Sequence, residues 1–156
     1  MTSAFMTKDF SDFCAQRDAQ NTIQLNVVKY TWQLCEALRQ NFIDYSIQQH
    51  ERSIDYADAG DVASVRYHEA CIEDLKNANC GYDFTFESGR KYHKIIMSAN
   101  GSRSVHCFVD KKTGEVYKSA SWKAPAKGVR YDLRLIKDRE WLFENADWAG
   151  SYLYAR

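Results

Sequence analysis

The dipeptide Asn100-Gly101, set between two segments whose apolar residues alternate, constrains this fold more than any other pair of residues. A two-residue turn that matches strand twist needs positive φ at both positions, and Asn followed by Gly supplies it at least cost. Lys91 to Ala99 and Ser102 to Asp110 therefore read as the arms of a β-hairpin. Lys111-Lys112-Thr113-Gly114 reads as a type I turn with Gly114 in a left-handed bulge position, leading into a strand over Glu115 to Ser121. Phe84-Thr85-Phe86 alternates ahead of the hairpin. Ala124-Pro125-Ala126 breaks the pattern, and Val129 to Ile136 reads as a fourth strand. Lys137 to Ala146 reads as a short helix, and Tyr152-Leu153-Tyr154 as a last extended piece.

The first half has a different period. Thr7 can cap a short helix carrying Phe10, Phe13 and Cys14. A long helix follows over about residues 21–58, with Ile23, Val27, Tyr30, Leu34, Leu38, Phe42 and Tyr45 at helical spacing. A second row, Val28, Trp32, Cys35 and Ile43, widens its apolar surface, which suits burial between elements or pairing with a second chain. Gly60-Asp61 supplies a turn and an N-cap. The next helix runs to about Asn77 on the stripe Val62, Val65, Ile72 and Leu75, and Asn79 and Gly81 end it. The expected fold is α+β, one domain over residues 1–156. A helical hairpin (1–80) packs on an antiparallel sheet of three or four strands (81–156) that carries a short C-terminal helix.

Register follows from the turn. With Ala99 opposite Ser102, Ile96 faces Val105 and Lys94 faces Cys107. One face then carries Tyr92, Lys94, Ile96, Val105, Cys107, Val109 and Val116, the expected core. The other carries His93, Ile95, Met97, His106, Phe108 and Tyr117, the expected functional face.

Net charge is zero over 156 residues, but it is unevenly placed. Residues 1–80 hold seven basic and twelve acidic side chains, and residues 88–139 hold thirteen basic and four acidic ones. A concentrated positive field with flat rings between the cations has the composition of a nucleic-acid surface. On that reading Lys94, Arg103, Lys118, Lys123, Lys127 and Arg130 contact phosphate, while Phe108, Tyr117 and Trp122 stack on bases. The stretch 119–130, rich in small residues, lets a ligand approach the backbone. The competing reading is a solvated sheet edge on which Lys discourages strand addition.

Other constellations are weaker. His68 and Cys71 lie three apart on a helix, but no CxxC pair accompanies them, so no metal is expected. His93 and His106 beside cations have the ingredients of acid–base phosphodiester cleavage. No phosphate-binding loop, dinucleotide fingerprint, GxSxG or HExxH occurs, and no cofactor or enzymatic activity is expected. Asp55, Asp58, Asp61, Glu69, Glu73 and Asp74 read as a solvated acidic face. Five scattered cysteines read as free thiols of a reducing cytoplasm. No apolar run is long enough for a membrane span.

The segments Ser102-Arg103-Ser104-Val105-His106-Cys107-Phe108-Val109-Asp110, Thr113-Gly114-Glu115-Val116-Tyr117-Lys118 and Ser121-Trp122-Lys123-Ala124-Pro125-Ala126-Lys127, with the ending 146–156, resemble small proteins of tailed, often marine, bacteriophages. The resemblance covers the C-terminal two-fifths of the chain. It implies a viral origin and action in the host cytoplasm, and it supplies no catalytic residues. The leading expectation is a non-enzymatic accessory protein that binds nucleic acid through its sheet. The alternatives are a module that binds a host or virion protein and dimerises through the long helix, and an anti-defence protein holding a nucleotide or host factor in a pocket lined by Arg130, Lys127 and His106.

Overall fold

The computed structural model describes residues 2–78 and 81–154, and side chains from Phe10 onward. Helix α1 spans Thr2–Asp55, 54 residues in one piece where two helices were expected. At 1.5 Å per residue it is about 81 Å long. It is continuous because neither Gly nor Pro occurs before Gly60. Thr7 therefore lies inside the helix rather than at its start. Gly60 takes φ +99, and the Asp61 side chain accepts from the Ser64 N–H at 3.2 Å to open α2, Val62–Lys76. Asn77 caps α2. Asn79, expected at its end, and Cys80 lie outside the described residues.

The sheet has strands β1 (Tyr82–Ser88), β2 (Tyr92–Ala99), β3 (Ser102–Asp110), β4 (Glu115–Lys118) and β5 (Tyr131–Asp132). They pair antiparallel in chain order. The Asn100-Gly101 turn has φ +51 and +90, as a type I′ turn requires, and Gly114 has φ +76. Strand β4 stops at Lys118 rather than Ser121, because Ala126 N–H bonds the Lys118 carbonyl and residues 119–125 double back. Helix α3 covers Ile136–Asn145, and Ser151–Leu153 form a 3₁₀ turn where extended chain was expected.

Ala99 faces Ser102 and Ile96 faces Val105, as the turn dictates. Beyond them the register shifts: Ile95 faces Cys107 and Lys94 faces Phe108, leaving His106 as a β-bulge. The bulge corrects the face assignment. Phe84, Ile95, Cys107, Val109 and Val116 form the buried layer against α1, together with His93. Lys94, Ile96 and Phe108 turn to the outer side. All of β2 is thus reversed from expectation, while β3 beyond the bulge is as expected. Ile96 and Phe108 are buried even so.

Val27, Thr31, Leu34, Cys35, Leu38 and Phe42 of α1 are buried on the sheet, joined by Leu133 and Leu142. Phe42 stacks on Tyr82 at 4.0 Å, and Trp32 meets Phe86 edge-on at 4.6 Å. Of the second apolar row of α1, Cys35 and Ile43 are buried, Val28 is half-buried and Trp32 stays 47% exposed. Toward its N-terminus α1 runs past the sheet with Phe10 and Phe13 exposed.

Candidate nucleic-acid interface

In a meander, alternate turns fall at the same end of the sheet. The β1–β2 turn (89–91) and the β3–β4 turn (111–114) therefore meet, bringing Arg90 and Lys91 beside Lys111 and Lys112. Two adjoining clefts result. One, of about 270 Å³, is lined by Arg90, Lys91, Lys94 and Lys123 with Glu87 and Phe108. The other, of about 440 Å³, is lined by Arg90, Lys91, Lys111 and Lys112 with Asp110 and Gln24 of α1.

The two acids here are already engaged. Glu87 pairs with Arg103. Asp110 is 8% exposed and accepts from the N–H groups of Lys112 (2.8 Å) and Thr113 (3.0 Å). Lys111 Nζ donates to the Gly89 carbonyl at 3.0 Å, which ties the two turns together. Among the described residues the ion pairs are Arg39–Asp83 and Arg103–Glu87. Six cations at this end therefore have no carboxylate partner.

The nine residues singled out in the sequence separate into groups. Lys94 and Arg103 flank Trp122, with Lys94 Nζ 4.6 Å and Arg103 Cζ 5.6 Å from its ring centre. Trp122 is 42% exposed, and Lys123 beside it lines the smaller cleft. Phe108 is only 2% exposed, beneath Lys94, so it cannot stack on a base. Tyr117 is half-buried and donates to Glu115 Oε2 at 2.9 Å; burial and that contact push its hydroxyl up to about 12. Lys118 pairs across from Cys107, so it faces the other side of the sheet, over Tyr154 at 4.8 Å. Lys127 is exposed on the far loop. Arg130 is bound to three carbonyls, Leu153, Lys127 and Gly128, and serves first as a strut.

Arg90, Lys91, Lys111 and Lys112 were not among those nine. The signal was present in the turn positions: strands one and three of a meander start their return loops at the same end.

Neither histidine of the sheet sits on the cationic face. His93 is 2% exposed, with Nδ1 2.8 Å from Ser88 Oγ, and burial and then Lys111 hold its pKa below the ordinary value. His106 Nε2 lies 2.8 Å from the Tyr152 hydroxyl, and burial lowers it to about 4 although Asp147 opposes the shift. His68 meets His50 of α1, Nδ1 to Nδ1 at 2.8 Å. No group of three or more metal-ligating side chains occurs among the described residues. No described helix is long and apolar enough to cross a membrane. Of the residues Arg130, Lys127 and His106, Arg130 and His106 line different clefts, both open to solvent, and Lys127 lines neither.

A long helix strapped across a five-stranded antiparallel meander places the chain among α+β proteins. More narrowly, it belongs to a family of unknown function, DUF7717, whose model matches residues 10–155. No curated protein and no solved structure matches it.

Proposed function

We propose that this chain binds a nucleic-acid backbone at the cationic end of its sheet, as a non-enzymatic accessory protein. The observation that carries the reading is the convergence of Arg90, Lys91, Lys94, Lys111, Lys112 and Lys123 on two adjoining clefts whose only acids are already paired or hydrogen-bonded. Phosphates supply the missing counter-charge, and their binding releases condensed counterions. Trp122 is the one ring of the expected three that is open enough to take a base, and Lys94 and Arg103 already lie over it. Recognition is therefore mainly of phosphate, with little reading of base sequence. In a phage-encoded protein of the kind the C-terminal stretch resembles, such a surface acts in the host cytoplasm.

Anisotropy of labelled single- and double-stranded DNA and RNA, titrated at rising salt, tests this. For duplex DNA, log K falls against log salt with a slope of about −5 if all six cations engage. The triple variant Lys91→Glu, Lys94→Glu, Lys123→Glu weakens binding by at least about tenfold and flattens that slope by about three. Trp122→Ala weakens the single strand more than the duplex. Absent or salt-independent binding removes the proposal.

A second reading, a homo-oligomer or a partner-protein contact through α1, rests on Phe10, Phe13 and Leu25, all more than half exposed. Light scattering tests it: a dimer that Phe10→Ser with Phe13→Ser converts to monomer supports it, and a monomeric parent chain counts against it.

A further inference from the structure

A cleft of about 530 Å³ lies between β5, α3 and the C-terminal segment, away from the cationic turns. Its walls are Tyr131, Trp141, Tyr152 and Tyr154, and its charged groups are Arg130, Lys137 and Asp138. We infer that this cleft is a receptor for a small flat aromatic ring carrying an anionic group, a nucleoside monophosphate in chemical class.

Preorganisation is the first argument. The Tyr131 hydroxyl donates to the Tyr152 carbonyl at 2.7 Å, and Arg130 Nε donates to the Leu153 carbonyl at 2.7 Å. Tyr131 and Trp141 stack at 5.3 Å with their planes 16° apart. Asp138 Oδ2 accepts from the Asp132 N–H at 2.9 Å, which fixes the start of α3 against β5. The walls are thus set before any ligand arrives, which lowers the ordering cost of binding.

Arg130 is the second. Its Nε and Nη1 donors are held by three carbonyls, leaving Nη2 with no partner among the described residues. A guanidinium held this way keeps a fixed orientation and still offers donors to an oxyanion. Lys137, exposed and unpaired among the described residues, adds a second positive group. The third argument is Tyr154. It is 65% exposed, and Lys118 Nζ sits 4.8 Å from its ring centre. A large ring kept open at a cleft mouth is a stacking surface for a flat ligand. Asp138 Oδ1 remains as an acceptor for a sugar hydroxyl or an amine.

The site is separate from the proposed nucleic-acid interface and does not rest on it. Calorimetric titration of the full chain with adenosine, guanosine, uridine and cytidine monophosphates tests it, with adenosine and ribose 5-phosphate as controls. The expected result is saturable binding of at least one monophosphate, weakened about tenfold or more when either the ring or the phosphate is absent. Tyr154→Ala and Lys137→Ala change exposed side chains, so the fold, checked by circular dichroism, survives while affinity falls by about tenfold each. No saturable heat from any monophosphate at millimolar concentration overturns the inference. So does binding that survives both substitutions, or ribose 5-phosphate binding as tightly as the nucleotide.

Discussion

Mild acid is expected to destabilise this fold by about 3 kcal/mol through one side chain, His106, before most of its carboxylates titrate. In the folded chain His106 stays neutral down to about pH 4, against 6.5 for a free imidazole. Its ring lies edge-on to the buried Phe84 at 5.5 Å and shares a hydrogen bond with Tyr152. Between those two pH values the unfolded chain takes up a proton that the folded chain refuses. Stability is therefore full above pH 6.5 and falls as pH drops toward 4, at up to about 1.4 kcal/mol per pH unit. His93 and His50 shift in the same direction, His93 through burial and then Lys111, and His50 through burial and then His68. Urea unfolding at about pH 7.5 and about pH 4.5 measures the drop. His106→Asn removes the largest titration. That variant is less stable at neutral pH but loses much less on acidification. A variant with the parent's full pH slope would show that His106 is not the seat of the effect.

The bulge at His106 also shows what the sequence could and could not convey. Register was legible outward from Asn100-Gly101 only as far as Ile96 and Val105, because a turn fixes pairing locally. The extra residue at His106 carries no Gly to mark it. Its ring meets Phe84, twenty-two residues back, and Tyr152, forty-six residues on, and local pattern reveals neither. One inserted residue reversed the assignment of β2, so Lys94 was placed inward and His93 outward. The helices were better marked, since Gly60 and Asp61 carry their turn chemistry in their own side chains. The join of two expected helices into α1 was missed because a polar run such as Gln16 to Asn21 lowers hydrophobic signal without breaking a helix. At the candidate interface, the cations were legible as a surplus but not as a place. Which of them meet depends on strand order, and Arg130 looked free because its three carbonyl partners include Leu153, far along the chain.

Arg39→Ala is expected to cost about 2 kcal/mol and to make the chain self-associate, because Arg39 seals an open sheet edge. β1 is the first strand of the sheet and has no neighbour on its outer side. The Gly81 carbonyl accepts from the Asn100 N–H, so the odd residues of β1 bond β2 and the even ones face outward. At Phe84 both outward groups are occupied. Arg39 Nη2 donates to the Phe84 carbonyl at 3.0 Å, and the Phe84 N–H donates to Asp83 Oδ1 at 2.9 Å. Arg39 Nε holds that same carboxylate oxygen at 2.6 Å. The ion pair by itself is partly solvated, with side chains 32% and 52% exposed, and contributes at most about 1 kcal/mol. The rest comes from the charge-assisted bond to a half-buried backbone carbonyl, and from holding α1 against β1 where Phe84 is fully buried. Arg39→Lys keeps the charge but cannot serve both acceptors in one plane, so it recovers only part of the loss. Asp83→Asn, which leaves the Phe84 carbonyl bonded, costs less than Arg39→Ala. Urea unfolding ranks the three variants, and light scattering over a concentration series reads the exposed edge. Equal stability in Arg39→Ala and the parent chain, with no concentration-dependent association, would mean that this edge is protected by something other than the clamp.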